Sequence, residues 1–138
     1  MRNKIDKNVA MQEVDKFLFE TKLIDKEKLL RKEFGEFAFG DYMNLINSVS
    51  SGHFYFKDDK IVQVLDFTIG KDIKELVYNP RLKVRDLRNL AKFDFSDVEG
   101  RKAQVVSTLT EKAIGEIQDM DSNDFERAKM LIDFYFLG

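Results

Sequence analysis

His53-Phe54-Tyr55-Phe56-Lys57-Asp58-Asp59-Lys60-Ile61-Val62-Gln63-Val64-Leu65 is where the apolar period of this chain changes from about 3.6 to 2, and its reading decides the fold. Aromatic and β-branched residues flank the polar group Lys57-Asp58-Asp59-Lys60, the pattern of a β-hairpin with its turn at the two aspartates. A third strand is expected from Asp72 to Tyr78, where Ile73, Glu75 and Val77 alternate with Lys74, Leu76 and Tyr78. Pro80, the only proline, cannot donate to a ladder and holds Asn79 extended, so the strand should stop there.

Helical spacing lies on both sides of this sheet. From Asn8 to about Ile24, Val9, Met11, Val14, Phe17, Leu18 and Leu23 recur between charged residues as in an amphipathic helix. Asp25 is placed to cap a second, short helix carrying Leu29, Leu30 and Phe34, which Gly35 should end. Gly40 and Asp41 should open a third, with Tyr42, Leu45, Ile46 and Val49 on one face and Gly52 beyond its end. After the sheet, Val84 to Phe93 reads as a helix on Leu87, Leu90 and Phe93, and Ser96 with Glu99 has capping-box spacing for a helix through Val105, Val106 and Leu109. Thr110 is expected to cap a short helix bearing Ala113, Ile114 and Ile117. Ser122 or Asn123 should cap the last helix, with Phe125, Ala128, Leu131, Ile132 and Tyr135 in one stripe. The expected fold is α+β: a small antiparallel sheet, hairpin plus third strand, flanked by N-terminal and C-terminal helices. Residues 1–52 would form a helical extension and residues 53–138 a sheet-and-helix module, together one compact unit.

Composition narrows the function classes. The 138 residues suffice for one domain with a core. Charged residues make up 35%, yet the signs nearly cancel to a formal net charge of −2, which disfavours nucleic acid as the main partner because phosphate binding needs a net basic face. There is no cysteine, so disulfides and thiolate metal sites are excluded, and a reducing compartment fits. No window approaches the ~18 apolar residues of a membrane span, nor does the start read as a secretory signal, so a soluble chain is expected.

Chemical motifs are sparse. His53, the single histidine, has no acidic or thiol neighbour at ligand spacing, and reads as a strand-start residue. Asp58-Asp59 lacks the further oxygen ligands of a calcium loop. Phosphate-binding glycine loops and nucleophile motifs are missing, so neither enzymatic activity nor a cofactor is expected. Arg81, Lys83, Arg85 and Arg88 form the one basic cluster, opposed by Asp86 and by the acidic tract Glu116, Asp119, Asp121 and Asp124. The run Ile132-Asp133-Phe134-Tyr135-Phe136-Leu137-Gly138 is too apolar for one stripe to hide. Either the N-terminal helices pack over it, or Phe134, Phe136 and Leu137 stay available to a client or another copy of the chain.

From about residue 62 onward the chain carries Gly70, Lys71, Ile73, Glu75, Leu76, Pro80, Val84, Asp86, Leu87 and Arg88 in order, followed by Leu109-Thr110 and a last apolar helix. In this it resembles the tail assembly chaperones of Mu-like contractile-tailed phages. The pattern departs at Glu111, where a glycine is usual, and residues before about Asp59 have no counterpart. The resemblance implies a non-enzymatic protein of the host cytoplasm that coats the tape measure protein, keeps its apolar surface from aggregating and helps tail tube subunits assemble. Arg85 and Arg88 would then supply rim charges, and Phe125, Phe134, Phe136 and Leu137 the apolar contacts to the partner. A structural tail or baseplate subunit and a small nucleic-acid-binding regulator are the alternatives.

Overall fold

The computed structural model describes residues 4–20, 23–91 and 98–136. Its hairpin joins β1 (Phe54–Lys57) to β2 (Lys60–Ile69), with Lys57 paired to Lys60 across the turn. Asp58 and Asp59 both take positive φ, 53° and 63°, the left-handed two-residue geometry whose twist matches paired strands. β3 (Ile73–Tyr78) adds to the other edge of β2, so the sheet is antiparallel in the order β1-β2-β3.

β2 runs four residues beyond its expected end at Leu65, and its register against β3 breaks between Val64 and Ile69. β1 pairs no further along β2 than Gln63, so the middle of this extension has ladder partners on neither side. The Asp124 side chain takes their place.

Before the sheet lie α1 (Lys7–Asp15), continued by a π-helical turn at Lys16–Glu20, then α2 (Lys26–Leu30) and α3 (Glu36–Ser50). Asp6 caps α1 through the Asn8 amide and Asp25 caps α2 through the Lys28 amide. Gly35 does not end α2. It opens α3 at φ 95°, a conformation only glycine adopts without strain, and Gly40 sits inside α3. Ala38 extends the Tyr42, Leu45, Ile46 and Val49 stripe toward the N-terminus, and burying it outweighs the ~1 kcal/mol that an interior glycine costs.

After the sheet come α4 (Val84–Leu90), α5 (Val98–Thr110), α6 (Ile114–Gln118), α7 (Ser122–Asp133) and a 3₁₀ turn at Phe134–Phe136. Phe93 and Ser96, placed by sequence in a helix and a cap, lie outside the described residues. Thr110 is not a cap. It is the last residue of α5 and its hydroxyl donates to the Val106 carbonyl, while Ala113 precedes α6 as its cap, its amide donating to Glu116. Asp121, rather than Ser122 or Asn123, caps α7 by accepting from the Asn123 and Asp124 amides.

One apolar cluster joins all parts of the chain: Ala10 and Val14 of α1, Leu45 and Ile46 of α3, Ile61 and Leu76 of the sheet, and Leu109, Ile117 and Leu131 of the later helices. Residues before the sheet therefore share the core of those after it. Tyr42 donates to Asp15 at 2.6 Å, tying α3 to α1, and Ile5 exchanges hydrogen bonds with Ser50 at the far end of α3.

Candidate functional site

The terminal aromatic run divides between core and surface. Phe134 is fully buried, which removes it from the expected contact residues: the 3₁₀ turn after α7 rotates it inward and Phe136 outward. Phe136 is 50% exposed. Phe125 is half-buried on α7 beneath the Lys129 ammonium, 5.4 Å from the ring centroid, and Lys129 is held in turn by Glu99 and Glu126. That ring is a clasp within the fold, not an open contact. Leu137 lies outside the described residues.

Phe136 borders an apolar groove of about 310 Å³ with Leu87, Leu90, Ala91, Arg101 and Val105. The sequence makes α4 able to line it because Val84, Leu87 and Ala91 recur at i, i+3 and i+7, one stripe of a helix. Lys83 starts α4 by donating its amide to Asp86 at 2.9 Å, so the first turn is anchored while Val84 stands 74% exposed. Arg88 is exposed next to Val84, and Arg85, also exposed, turns to the opposite flank of α4. No carboxylate among the described residues pairs with either. Leu87, in helical spacing with the buried Leu90, is itself half-exposed and lines the groove with Phe136.

On the other flank of α4 a polar cleft of about 1010 Å³ is lined by Lys60, Arg81, Lys83 and Arg85, with Asp86 and Glu111 among them. The two carboxylates oppose phosphate in the place where the cations would draw it.

Structure also brings together residues that are distant in sequence. Ser51, His53 and Asp66 meet where α3 hands over to β1: the imidazole Nδ1 is 2.6 Å from Ser51 Oγ and its Nε2 3.4 Å from Asp66 Oδ1. His53 therefore has the acidic neighbour that its surrounding sequence did not reveal. Ser51 Oγ also lies 3.0 Å from the Ser48 carbonyl, and Asp66 is engaged by Arg127 at 3.0 Å. Burial and the Arg127 charge hold the imidazole below its ordinary range, outweighing Asp66. Every polar group of this trio is thus occupied in joining helix to strand.

Asp124, which the sequence places in an acidic tract, is fully buried. Its carboxylate accepts from the Asp66 and Phe67 amides at 3.0 and 3.1 Å, the segment of β2 that lost its ladder, and pairs with Arg127 at 3.3 Å. Its backbone carbonyl accepts from Gln63 Nε2 at 2.7 Å, and Gln63 Oε1 accepts from Tyr78 at 2.6 Å. Two half-buried carboxyls also face each other between α3 and α7: Asp41, desolvated and hydrogen-bonded to Asp133, has its pKa raised to about 6 against the pull of Lys102.

No group of three His, Cys, Asp or Glu side chains among the described residues is arranged to hold a metal ion, and no described helix is long and apolar enough to cross a membrane. Comparison with protein-family models, curated proteins and solved structures found no match.

Proposed function

We propose that this chain is a non-enzymatic assembly chaperone of a contractile phage tail, which binds the tape measure protein and assists tube assembly around it. The observation that carries this reading is the uncovered apolar strip of α4 with Phe136, set in a surface whose charges are otherwise balanced. A polypeptide with a long apolar face needs a reversible cover, and a helix presenting Val84 and Leu87 beside Phe136 offers one by helix-in-groove contact.

Backbone geometry agrees with the sequence pattern behind the proposal. Gly70 of that pattern turns β2 into β3 at φ 61°, and Glu111, where the pattern has glycine, ends α5 at φ 56°. Both positions need the left-handed conformation that glycine supplies without strain, so the pattern marks turns with a physical requirement.

Co-expression with the tape measure protein of a contractile phage tail tests the function. The chaperone reading expects the client to stay in the soluble fraction only when this chain is present. A client whose solubility is the same with or without it would refute the proposal, as would recovery of the chain at stoichiometric amount in purified virions.

A further inference from the structure

We infer that the polar cleft between β2, the Pro80 loop, α4 and α5 takes an extended, acidic polypeptide segment; this rests on the reading that the chain binds a client polypeptide. Two sets of side chains carry it. Lys60, Arg81, Lys83 and Arg85 line the cleft against Asp86 and Glu111, so cations outnumber carboxylates four to two in a chain whose formal net charge is −2. Lys60, Lys83 and Arg85 pair with no carboxylate among the described residues, and Asp86 is engaged by the Lys83 amide at 2.9 Å. The cations stand on separate elements, Lys60 at the start of β2, Arg81 and Lys83 in the loop after Pro80 and Arg85 on α4. Carboxylates spaced along a bound chain can each meet a different one.

Asn79, Asn89 and Gln104 are the second set. Their carboxamides make no hydrogen bond to a described residue, and each offers a donor and an acceptor side by side, which is what a peptide unit of an extended chain presents in return. A helical ligand has spent those backbone groups internally and leaves the carboxamides unanswered. The Asn79 wall is fixed in place, because its amide donates to the Leu109 carbonyl at 2.9 Å and its carbonyl accepts from the Tyr135 hydroxyl at 2.6 Å. Single-stranded nucleic acid suits the cleft less well: no aromatic ring lines it for a base to stack on, and Asp86 and Glu111 oppose phosphate.

The test uses the full chain and two labelled synthetic peptides of about 12 residues, about 40 Å when extended, in which glycine alternates with either aspartate or asparagine. Fluorescence anisotropy at low salt should give about tenfold tighter binding of the aspartate peptide, a difference of about 1.4 kcal/mol. The double variant Lys83→Glu/Arg85→Glu should remove that preference. Asn89→Ala/Gln104→Ala should weaken both peptides alike by about fivefold, a loss that a merely electrostatic surface would not show. Circular dichroism and urea midpoints should be unchanged, and a double variant that misfolds is replaced by Arg85→Glu or Asn89→Ala alone. Equal affinity for the two peptides, no binding of either, a preference that survives the charge reversal, or carboxamide removal without effect would overturn the inference. So would a thymidine dodecamer that binds as tightly as the aspartate peptide. The two levels separate in co-expression: a client kept soluble equally by wild type and by the charge-reversed variant removes this inference and leaves the chaperone function in place.

Discussion

Replacing Asp41 by Asn should stabilise the protein, and only above about pH 5. Burial of Asp41 on α3, then the charge of Asp133 on α7 and the hydrogen bond the two carboxyls share, raise Asp41 from 3.8 to about 6. A group that binds its proton more tightly when folded adds stability below its unfolded pKa and loses that contribution as pH rises through its folded pKa. The shift sets a ceiling of about 3 kcal/mol. Asp41 is partly open to solvent and Lys102 offsets some of the repulsion, so about 1–1.5 kcal/mol is the expected effect. Asn keeps the shape and can donate to Asp133 at any pH. Urea denaturation of wild type and Asp41→Asn should therefore coincide near pH 4 and differ by that amount in favour of the variant at pH 7.5, with equal slopes. A variant less stable than wild type at pH 7.5, or a gap of the same size at both pH values, would refute the reasoning.

Other outcomes are equally specific. Asp124→Ala should cost about 3–5 kcal/mol in urea denaturation, because it leaves Arg127 and the Asp66 and Phe67 amides without their acceptor; a loss under 1 kcal/mol would show that water replaces the carboxylate. Tyr78→Phe should cost about 1–3 kcal/mol by stranding Gln63 Oε1 in the core, measured in the same way. Phe134→Ala should cost about 3–5 kcal/mol. Phe136→Ala should change stability by under about 1 kcal/mol and lower the soluble yield of a co-expressed client, so co-expression and denaturation together distinguish the two phenylalanines. Glu111→Gly should raise the thermal midpoint, worth about 1 kcal/mol, by relieving the left-handed strain at φ 56°.

The fold was legible where local chemistry and tertiary demand agree. The hairpin, its aspartate turn and the strand ending before Pro80 all follow from side-chain period and from backbone restrictions that act within a few residues. Reading failed at helix ends, where several residues compete. Gly35 and Gly40 both suit a boundary, and packing of Ala38 against the core decides that the first starts α3 and the second falls inside it. Asp121, Ser122 and Asn123 are all good caps, and the choice is set by where Asp124 must stand to reach β2.

That last requirement explains why the polar joints were hidden while the surface patch was not. Arg85, Arg88 and Phe136 are exposed, which their charge or their place at the end of the last helix already suggests. Asp124 could not, since its partners are two amides 57 and 58 residues earlier, freed by a register break that no local pattern announces. The break, the buried carboxylate and Arg127 form one device that pins α7 against the sheet. With α7 fixed, the turn that follows has one way to proceed: it sends Phe134 inward and leaves Phe136 beside Leu87. The position of the proposed binding strip is therefore a consequence of the buried network. Loosening the network by Asp124→Ala in a folded background should lower the soluble yield of a co-expressed client even though no residue of the strip has changed.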